Sequence, residues 1–319
     1  MTDLAVIIVS WNVRQLLADC LQSVQADLTR GDITGQIWVV DNASADGSAE
    51  MVGRDFPDAQ LIASPQNLGF AGGNNAALRA IGFGQEKPTA DLPAAVLLLN
   101  PDTIVHPGAL PILSDFLRRH PRAGIAGARL VYGDGSFQHS VFGFPGLWQL
   151  AIELLPLPGR LAESSLNGRY PPSLYEAGQP FRVGHPLGAA MAVRGEAIQQ
   201  VGLLDEQYQM YVEEVDWAKR IVQAGWHSYC VPEAVVTHLG GQSTGQIKTT
   251  SFINLWRSRH QFYRKHYSPP KVWLAGLIVR WGMRRQAKLD RQERQTDPAL
   301  AERLDGYRTV SKIWTENQL

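Results

Sequence analysis

Three carboxylates within four positions form the first candidate site. Glu213, Glu214 and Asp216 stand in an apolar and aromatic frame, Met-Tyr-Val-Glu-Glu-Val-Asp-Trp, over residues 210–217. Like charges this close raise each other's pKa, which suits a general base. In a helix, Glu213 and Asp216 share one face and Glu214 points elsewhere. The alternative is a solvated acidic helix start, which the helix dipole favours.

A second candidate site follows the apolar run 94–99. Asp102 is presented there by Pro101 in the sequence Asn-Pro-Asp-Thr. A carboxylate so placed can hold Mg²⁺ or Mn²⁺, which prefer oxygen ligands. The alternative is that Asp102 caps a helix that starts near Pro107. His238 also follows an apolar run and precedes a Gly-Gly pair, so it is a candidate metal ligand or a structural histidine.

Two polar segments could bind a nucleotide. Asp41 ends the apolar run 36–40, and its carboxylate can accept a hydrogen bond from N3–H of uracil or thymine, while Asn42 can bond a ribose. The alternative is that Asp41 and Ser44 only cap the next helix. In the segment Asn67–Asn75, glycines allow close backbone approach and amide groups favour a phosphate. That segment matches neither a Walker A loop nor a GxGxxG motif, and a tight turn is the alternative.

The elements that must position these groups alternate along the first 120 residues. Apolar runs predict strands at 4–9, 36–40, 59–63 and 94–99, and the patterns between them predict helices at about 13–28, 46–52 and 74–83. Such alternation predicts an α/β domain with a mostly parallel sheet. The polar clusters follow strands, so they should meet at the carboxyl edge of the sheet, where ligands bind.

The rest of the chain is less regular. Residues 134–182 are rich in Gly, Pro and Ser and predict a loop region or a helical excursion over the site. Strands are expected at 188–193, 228–231 and 234–237, and a helix at 211–224.

From about residue 249 the chain turns helical, basic and aromatic. Between residues 256 and 285 the basic side chains are Arg257, Arg259, Arg264, Lys265, Lys271, Arg280, Arg284 and Arg285. Basic residues beside Trp and aliphatic side chains suit an interfacial helix on anionic lipid. The alternative is a helix packed on the preceding domain with a solvated basic face.

Composition excludes several protein classes. The chain has 319 residues, 45% hydrophobic and 19% charged, with 30 basic and 30 acidic side chains, which is ordinary for a globular protein and gives no overall attraction to nucleic acid. Cys20 and Cys230 are too few for a disulfide framework and match no zinc spacing. No basic leader precedes the first apolar run, and no run reaches the roughly 18 residues of a spanning helix. We therefore expect a cytoplasmic protein.

Together these residues resemble family 2 glycosyltransferases, particularly bacterial rhamnosyltransferase-like members. The resemblance covers roughly residues 4–266. Its motifs, in order, are Ser10-Trp11-Asn12, Val40-Asp41-Asn42-Ala43-Ser44, Asn67-Leu68-Gly69-Phe70-Ala71, Leu99-Asn100-Pro101-Asp102, Gly188-Ala189-Ala190-Met191, Glu213-Glu214-Val215-Asp216-Trp217 and His238-Leu239-Gly240-Gly241.

The resemblance implies a GT-A fold, with a mostly parallel central sheet flanked by helices. It implies a catalytic domain over 1–248, with a nucleotide-sugar half at about 1–130 and an acceptor half at about 131–248, and a helical basic extension over 249–319. It also implies an inverting single displacement that depends on Mg²⁺ or Mn²⁺, with Asp102 and His238 as the metal ligands.

Roles for single residues also follow from the resemblance. Glu214 would be the base that takes the acceptor hydroxyl proton as that oxygen attacks the anomeric carbon, and Glu213 and Asp216 would support it. Candidate donor-binding residues are Ser10, Asn12, Asp41, Asn42, Asn67, Gly69, Asn74 and Asn100. Candidate acceptor-binding residues are Gly188 and Trp217, the latter packing against the acceptor or against the helix.

The sequence departs from the family pattern at two positions. Asn100 replaces the first acid of the metal motif, so one carboxylate must hold the cation with phosphate and His238; rhamnosyltransferase-like members look similar. The acidic pair is Glu213-Glu214 rather than the common Glu-Asp. The extra methylene moves the carboxylate by about one bond, a displacement that can cost about a hundredfold in rate. Which of the two is the base stays open.

The expected reaction moves a sugar, with rhamnose from dTDP-rhamnose as the best guess and UDP as the other donor nucleotide, onto a lipid-linked or cell-surface saccharide at the inner face of the cell membrane. A homo-oligomer contact is open, and no nucleic acid partner is expected. One rival is a sugar nucleotidyltransferase, whose Gly-rich basic signature the sequence 10–13 lacks. Another is a non-catalytic sugar- or lipid-binding scaffold, against which the intact acids argue.

Overall fold

The computed structural model describes residues 2–31, 33–208, 210–240, 248–293 and 297–315. The strands are β1 (Leu4–Ser10), β2 (Gly35–Asn42), β3 (Gln60–Ser64), β4 (Ala95–Leu99), β5 (Thr103–Val105), β6 (Ala123–Val131), β7 (Phe137–Gln138), β8 (Val141–Phe142), β9 (Phe181–Val183), β10 (His185–Pro186), β11 (Ala190–Arg194) and β12 (His227–His238). The helices are α1 (Arg14–Gly31), α2 (Ser48–Asp55), α3 (Gly69–Ile81), α4 (Ala109–Arg119), α5 (Leu147–Leu154), α6 (Pro172–Glu176), α7 (Gly195–Val201), α8 (Glu213–Gln223), α9 (Lys248–His266), α10 (Pro269–Glu293) and α11 (Leu300–Ile313).

The chain divides into two compact units. The first, the sheet unit, comprises Met1–Phe144, Tyr170–Gln207 and Glu213–Ser243. The second, the helical unit, comprises Pro145–Arg169, Tyr208–Val212 and Thr244–Leu319. The C-terminal helices therefore share a unit with 145–169 and 208–212, two segments that the sequence analysis assigned to the acceptor half.

The sheet unit is built on a curled, mostly parallel sheet. Its strand order is β3-β2-β1-β4-β11-β6-β12-β5, with β7 on β6 and β9 on β12. Strands β1 to β4 run parallel, as do β6 and β12. Strand β11 is antiparallel to both of its neighbours, β4 and β6. The α/β fold class and the mostly parallel sheet predicted from the sequence are confirmed.

Strand β1 shows why the apolar runs are continuous. Leu4, Val6 and Ile8 enter one core cluster, while Ala5 and Ile7 enter the cluster on the other face. A parallel strand covered by helices on both faces needs apolar side chains at every position. The strands also end together, as Ser10 pairs with Asp41 in β2 and Ile8 pairs with Leu99 in β4.

Two local predictions were wrong. The Gly/Asn-rich segment is not a loop up to residue 74, because α3 begins at Gly69. The runs 228–231 and 234–237 form the single strand β12, with an irregular register between Val231 and Val235. Within residues 134–182, the helices α5 and α6 agree with the predicted helical excursion, whereas the short strands β7, β8 and β9 were not predicted.

The glycines of α3 are explained by packing against the sheet. A Cβ on Gly73 would lie 2.7 Å from Val9 Cγ1 and 3.5 Å from Asn42 Nδ2. Only a residue without a side chain lets the helix lie this close to β1 and β2. Glycine weakens a helix by about 1 kcal/mol relative to alanine, and here the close approach outweighs that cost.

The first prediction concerns this packing. Gly73→Ala is expected to lower the free energy of unfolding by about 1–2 kcal/mol, because the overpacking cost exceeds the gain in helix propensity. Gly53 in α2 is the matched control, since no atom lies within 4 Å of its Cβ position, and Gly53→Ala should raise stability by about 0.5–1 kcal/mol. Urea unfolding measures both. Equal effects of the two substitutions would contradict the packing argument.

The helical unit packs four helices around aromatic side chains. Trp256 of α9 and Trp314, directly after α11, are buried, and Trp314 Nε1 donates to Trp256 O at 3.2 Å. Helix α10 lies close to α5, where a Cβ on Gly282 would meet Leu154 Cβ at 2.6 Å. Among the described residues, none of the helices has the length and apolarity that crossing a bilayer requires.

Candidate functional site

The carboxyl ends of β1 and β2 present two buried polar groups. Ser10 and Asp41 are adjacent in the parallel register and are 0% and 3% exposed. Asp41 Oδ2 accepts from Ser44 N at 2.9 Å, but Asp41 Oδ1 and Ser10 Oγ have no hydrogen-bond partner within the described residues. A buried oxygen without a donor is costly. Asp41 therefore fits a site that takes an N–H donor from a ligand.

Four of the predicted donor-binding asparagines make hydrogen bonds within the chain at this edge of the sheet. Asn12 Oδ1 accepts from Ala45 N at 2.8 Å, and Asn42 Nδ2 donates to Gly69 O at 3.1 Å. Asn67 Oδ1 accepts from Gly69 N at 2.9 Å, and Asn74 Nδ2 donates to Phe70 O at 2.9 Å. These bonds fix the start of α3 beside the strand ends, so these residues shape the site.

Asp102, Asn100 and His238 converge beyond the ends of β4 and β12. Asp102 Oδ1 lies 3.5 Å from His238 Nε2, and Asn100 Nδ2 lies 3.4 Å from the same nitrogen. Strand β5 pairs Thr103 with His238, which brings together residues 135 positions apart in the sequence. The predicted pairing of Asp102 with His238 thus has a structural basis, while Gly241 of the same motif lies outside the described residues.

These residues suit a divalent cation that also has phosphate ligands. Burial lowers the pKa of His238 although the nearby Asp102 charge raises it, and the neutral imidazole is the form that ligates a metal. Within the described residues, no group of three or more His, Cys, Asp or Glu side chains forms a complete metal cage. Mg²⁺ typically takes one or two carboxylates and fills its shell with phosphate and water. Asp102 and His238 fit that incomplete set.

Asp102 does not cap the following helix. Its backbone oxygen accepts from Leu239 N at 3.0 Å, and α4 begins only at Ala109. Asp27 of α1 serves α4 instead, since its carboxylate accepts from Gly108 N and, at 2.8 Å, from Leu110 N. The sequence reasoning missed Asp27, although an acid three positions after Val24 on the apolar face of a helix is a signal that could have found it.

The acidic pair begins α8, and Glu214 lies close to Gly188, two residues before β11. Glu213 is 3% exposed and its Oε2 has no hydrogen-bond partner within the described residues. Glu214 is partly exposed. A Cβ on Gly188 would lie 3.4 Å from Glu214 Cγ and 3.0 Å from Phe70 Cζ. Gly188 therefore leaves room for the acid and for the start of α3 to meet.

Glu214 is thereby placed next to the metal-candidate loop. Ala189, the residue after Gly188, accepts a hydrogen bond from Asn100 N at 3.0 Å. The start of α3, the start of α8 and the turn after β4 thus meet at one edge of the sheet.

Burial raises the pKa of both carboxyls, and for Glu213 the charge of Glu214 raises it further. Both carboxyls therefore hold their protons to higher pH than a solvated glutamic acid does. A partly exposed carboxylate with a raised pKa is suited to accept a proton from an incoming hydroxyl.

Asp216 and Trp217 are fully buried and support α8 from within the sheet unit. Asp216 is fully buried and pairs with Arg220 Nε at 2.9 Å, while Arg220 also bonds the carbonyls of Val201 and Leu203. Trp217 is 0% exposed and donates to Gly202 O at 2.8 Å. Of the two places predicted for Trp217, against the acceptor or against the helix, its ring has a core position under α8. Both residues hold the helix that carries Glu214.

Asn75 is a bracing residue that the sequence analysis did not single out. It is 1% exposed; its Nδ2 donates to Leu204 O at 2.9 Å and Glu206 Oε1 at 2.7 Å, and its Oδ1 accepts from Leu204 N at 3.0 Å. Asn75 therefore ties α3 to the segment that precedes the acidic pair. A buried asparagine inside a helix, where it has low propensity, was the available signal.

A second prediction follows for Asn75. Asn75→Ala leaves the buried peptide groups of Leu204 unpaired, and we expect a loss of about 2–4 kcal/mol in the free energy of unfolding. Asn67→Ala is the matched control, since Asn67 is exposed and makes a single turn bond, so its loss should stay below about 1 kcal/mol. Urea unfolding with a constant m-value measures the difference. A loss for Asn75→Ala no larger than for Asn67→Ala would contradict its bracing role.

A third prediction concerns pH. Ionisation of Glu213 and Glu214 lowers the free energy of unfolding, because the folded state binds their carboxyl protons more tightly than the unfolded chain does. The stabilising contribution is complete below the ordinary pKa of 4.5 and is lost as pH rises through the raised values. Activity should instead rise with pH, because the base must be ionised, and the rising acid limb of the kcat/KM profile should lie above pH 4.5. Thermal midpoints and rates across pH test this, and Glu213→Gln should flatten the stability curve. A midpoint that rises over this range would contradict it.

Comparison with known proteins gives the site its context. The family model described as glycosyl transferase family 2 matches residues 5–155. An N-acetylglucosaminyl-diphospho-decaprenol L-rhamnosyltransferase of Mycobacterium tuberculosis is 30% identical over 251 residues, which are 78% of this chain and 79% of the relative. The chain belongs to glycosyl transferase family 2. A low-salt glycan biosynthesis hexosyltransferase of Haloferax volcanii is 25% identical over 219 residues, 68% of this chain and 61% of that protein.

Solved structures support the fold. A mannosyltransferase from Pyrobaculum calidifontis, in complex with GDP-Man and Mn²⁺, aligns with a TM-score of 0.57 and 16% identity over 98% of this chain and 84% of its own. GalNAc-T7 with UDP, GalNAc and Mn²⁺ aligns with a TM-score of 0.60 and 14% identity over 99% of this chain and 56% of its own. The predicted GT-A fold is confirmed, and the family 2 chain is a glycosyltransferase.

Proposed function

We propose that this glycosyltransferase moves a deoxysugar, rhamnose in the first instance, with inversion from a dTDP or UDP donor to a lipid-linked or cell-surface saccharide. The reaction at a lipid-linked acceptor would take place at a membrane surface. The relative from Mycobacterium tuberculosis supports the sugar and the acceptor class, since it is named for both. The oligomeric state and the cytoplasmic location stay predictions.

One observation carries the proposal. Glu214 lies beside Gly188. The next residue, Ala189, accepts a hydrogen bond from the backbone N of Asn100, and Asn100 is two positions before Asp102. A proton acceptor and a candidate diphosphate–cation site are thus adjacent at one sheet edge. An inverting displacement needs this pairing, with the base on the acceptor side and charge neutralisation on the leaving-group side.

The protein's own groups act in three places. Asp41 accepts from the base of the donor through its spare Oδ1, and the brace from Asn42 to Gly69 fixes the start of α3 near the phosphates. Glu214 takes the acceptor hydroxyl proton while that oxygen attacks the anomeric carbon and the nucleoside diphosphate departs. Burial and the charge of Glu214 raise the pKa of Glu213 beside it, which favours its neutral form and lowers the repulsion between the two groups.

The metal dependence is part of the same proposal. Asp102 and His238 would hold Mg²⁺ or Mn²⁺, and the cation would neutralise the charge of the departing diphosphate. The neutral His238 and the closeness of its Nε2 to Asp102 Oδ1, 3.5 Å, support this assignment.

A nucleotide-binding screen tests the donor assignment. Thermal midpoints are compared with dTDP, UDP, GDP and ADP in the presence of Mn²⁺, on the parent and on Asp41→Ala. A nucleotide at about a hundred times its Kd should stabilise the parent by about 2.7 kcal/mol. We expect shifts with dTDP or UDP that Asp41→Ala abolishes. No shift with any nucleotide on well-folded parent would overturn the donor site and favour a non-catalytic scaffold.

A further inference from the structure

The exposed large apolar side chains are concentrated in the helical unit. The exposed set within this unit is Trp148, Leu157, Leu166, Trp273, Leu274, Leu277 and Trp281, while the sheet unit exposes Tyr132, Leu174 and Leu239. Four members of the first group belong to α10. Contiguous exposed apolar surface of this kind marks a binding site.

The exposed groups of α10 form one stripe. Trp273, Leu277, Trp281, Arg284 and Lys288 follow each other at intervals of four, four, three and four residues, and all are exposed. At 3.6 residues per turn, these intervals place the five side chains on a single face. The tryptophans are 63% and 46% exposed. We call these five residues the α10 stripe.

The opposite face of α10 explains why the stripe points outward. Its buried positions include Ala275, Gly276, Val279, Gly282 and Met283. Cβ atoms on Gly276 and Gly282 would lie 2.9 Å from Trp314 O and 2.6 Å from Leu154 Cβ. The helix therefore docks through its small residues, and rotating the bulky stripe into that narrow interface is sterically excluded.

Along the part of α10 that carries the stripe, all charged side chains are basic. Residues 269–289 contain five basic side chains and no acidic one. The first acid, Asp290, is buried and accepts from Arg303 Nε at 3.0 Å and from Tyr307 Oη at 3.1 Å. The stripe is thus apolar and aromatic in its first half and cationic in its second half, where Arg284 and Lys288 lie.

We infer that the α10 stripe is a binding surface for a bilayer that carries anionic headgroups. Trp273, Leu277 and Trp281 enter the interface between headgroups and acyl chains, and Arg284 and Lys288 contact headgroup phosphates. Tryptophan is suited to this boundary because its ring is apolar and its N–H needs a polar partner. Two tryptophans eight positions apart on one helical face match a flat apolar–polar boundary better than an acidic protein surface. The inference rests on the proposed function only for the acceptor's location.

Vesicle flotation with the full-length protein tests this surface. Vesicles of phosphatidylcholine alone are compared with an equal mixture of phosphatidylcholine and phosphatidylglycerol. We expect at least about tenfold stronger partition onto the anionic vesicles, falling in about 0.5 M NaCl as screening weakens the headgroup contacts. The double variant Arg284→Glu with Lys288→Glu should lower binding to anionic vesicles by about tenfold or more. The double variant Trp273→Ala with Trp281→Ala should lower it by about as much, because less apolar surface then enters the bilayer interface.

Matched controls lie on the sheet unit. Arg118→Glu with Arg119→Glu changes the net charge equally at exposed positions of α4, and Tyr132→Ala removes an exposed aromatic ring. Both should bind vesicles within about twofold of the parent. Nucleotide-induced thermal shifts, measured in parallel, report the donor site independently, so failure of the proposed function leaves the vesicle result interpretable.

Three results would overturn the inference. The first is a well-folded parent that does not bind anionic vesicles. The second is loss of binding in the controls equal to that in the stripe variants. The third is a dimer in sedimentation that Trp273→Ala with Trp281→Ala dissociates, because the stripe would then be an interface between two copies of the chain.

Discussion

Glu214→Gln should lower kcat by about a thousandfold while leaving nucleotide binding unchanged. The substitution keeps the size of the side chain and its place beside Gly188, but an amide cannot take the acceptor proton. General-base catalysis contributes about 10²- to 10⁴-fold, which sets the magnitude. Initial rates with the donor selected by the nucleotide screen measure the effect, and the nucleotide-induced thermal shift serves as the control for folding and donor binding.

The neighbouring acid provides the comparison that assigns the base. Glu213→Gln should lower kcat by about tenfold or less, because Glu213 is 3% exposed whereas Glu214 is the partly exposed acid that an acceptor hydroxyl can reach. The acid limb of the rate–pH profile should persist in Glu213→Gln and disappear in Glu214→Gln. A larger loss in Glu213→Gln than in Glu214→Gln would transfer the base assignment to Glu213.

Asp102→Ala should abolish the dependence of donor binding on Mn²⁺ and reduce kcat/KM by about a thousandfold. Metal stabilisation of a departing phosphate is worth several kcal/mol, and within the described residues no complete metal cage could take over. The readouts are the thermal shift with dTDP or UDP, with and without Mn²⁺, and turnover across a Mn²⁺ titration.

Two further variants make the Asp102 result specific. His238→Ala should weaken the apparent affinity for Mn²⁺ by about 10- to 100-fold, since one ligand of an incomplete set is lost. Asp134→Ala is the matched control, because Asp134 is an exposed turn residue whose carboxylate accepts from the backbone N and the hydroxyl of Ser136, and it should match the parent. Full Mn²⁺ dependence in Asp102→Ala would remove the metal assignment and leave the nucleotide site standing.

The fold could be predicted from the sequence because a strand buried on both faces shows itself as an uninterrupted run of apolar residues. The run Leu4–Val9 had to be a central parallel strand, and β1 has that place between β2 and β4. Polar residues after each run had to meet at one edge, since parallel strands share a direction. The start of α3 was predicted too late because its glycines fit a loop equally well, and only the contact of Gly73 with Val9 explains a helix there.

By itself the sequence determined the α/β class, the family resemblance and the candidate groups Asp41, Asp102 and Glu214. The tertiary structure decided which polar groups have a hydrogen-bond partner in the described part of the chain and which have none. Asn42 and Asp216 have partners, whereas Asp41 Oδ1 and Glu213 Oε2 have none within the described residues. The physical reason is distance along the chain: partners such as Asn75 and Leu204 are 129 residues apart. Composition and periodicity report burial, but only folding shows which donor meets which acceptor.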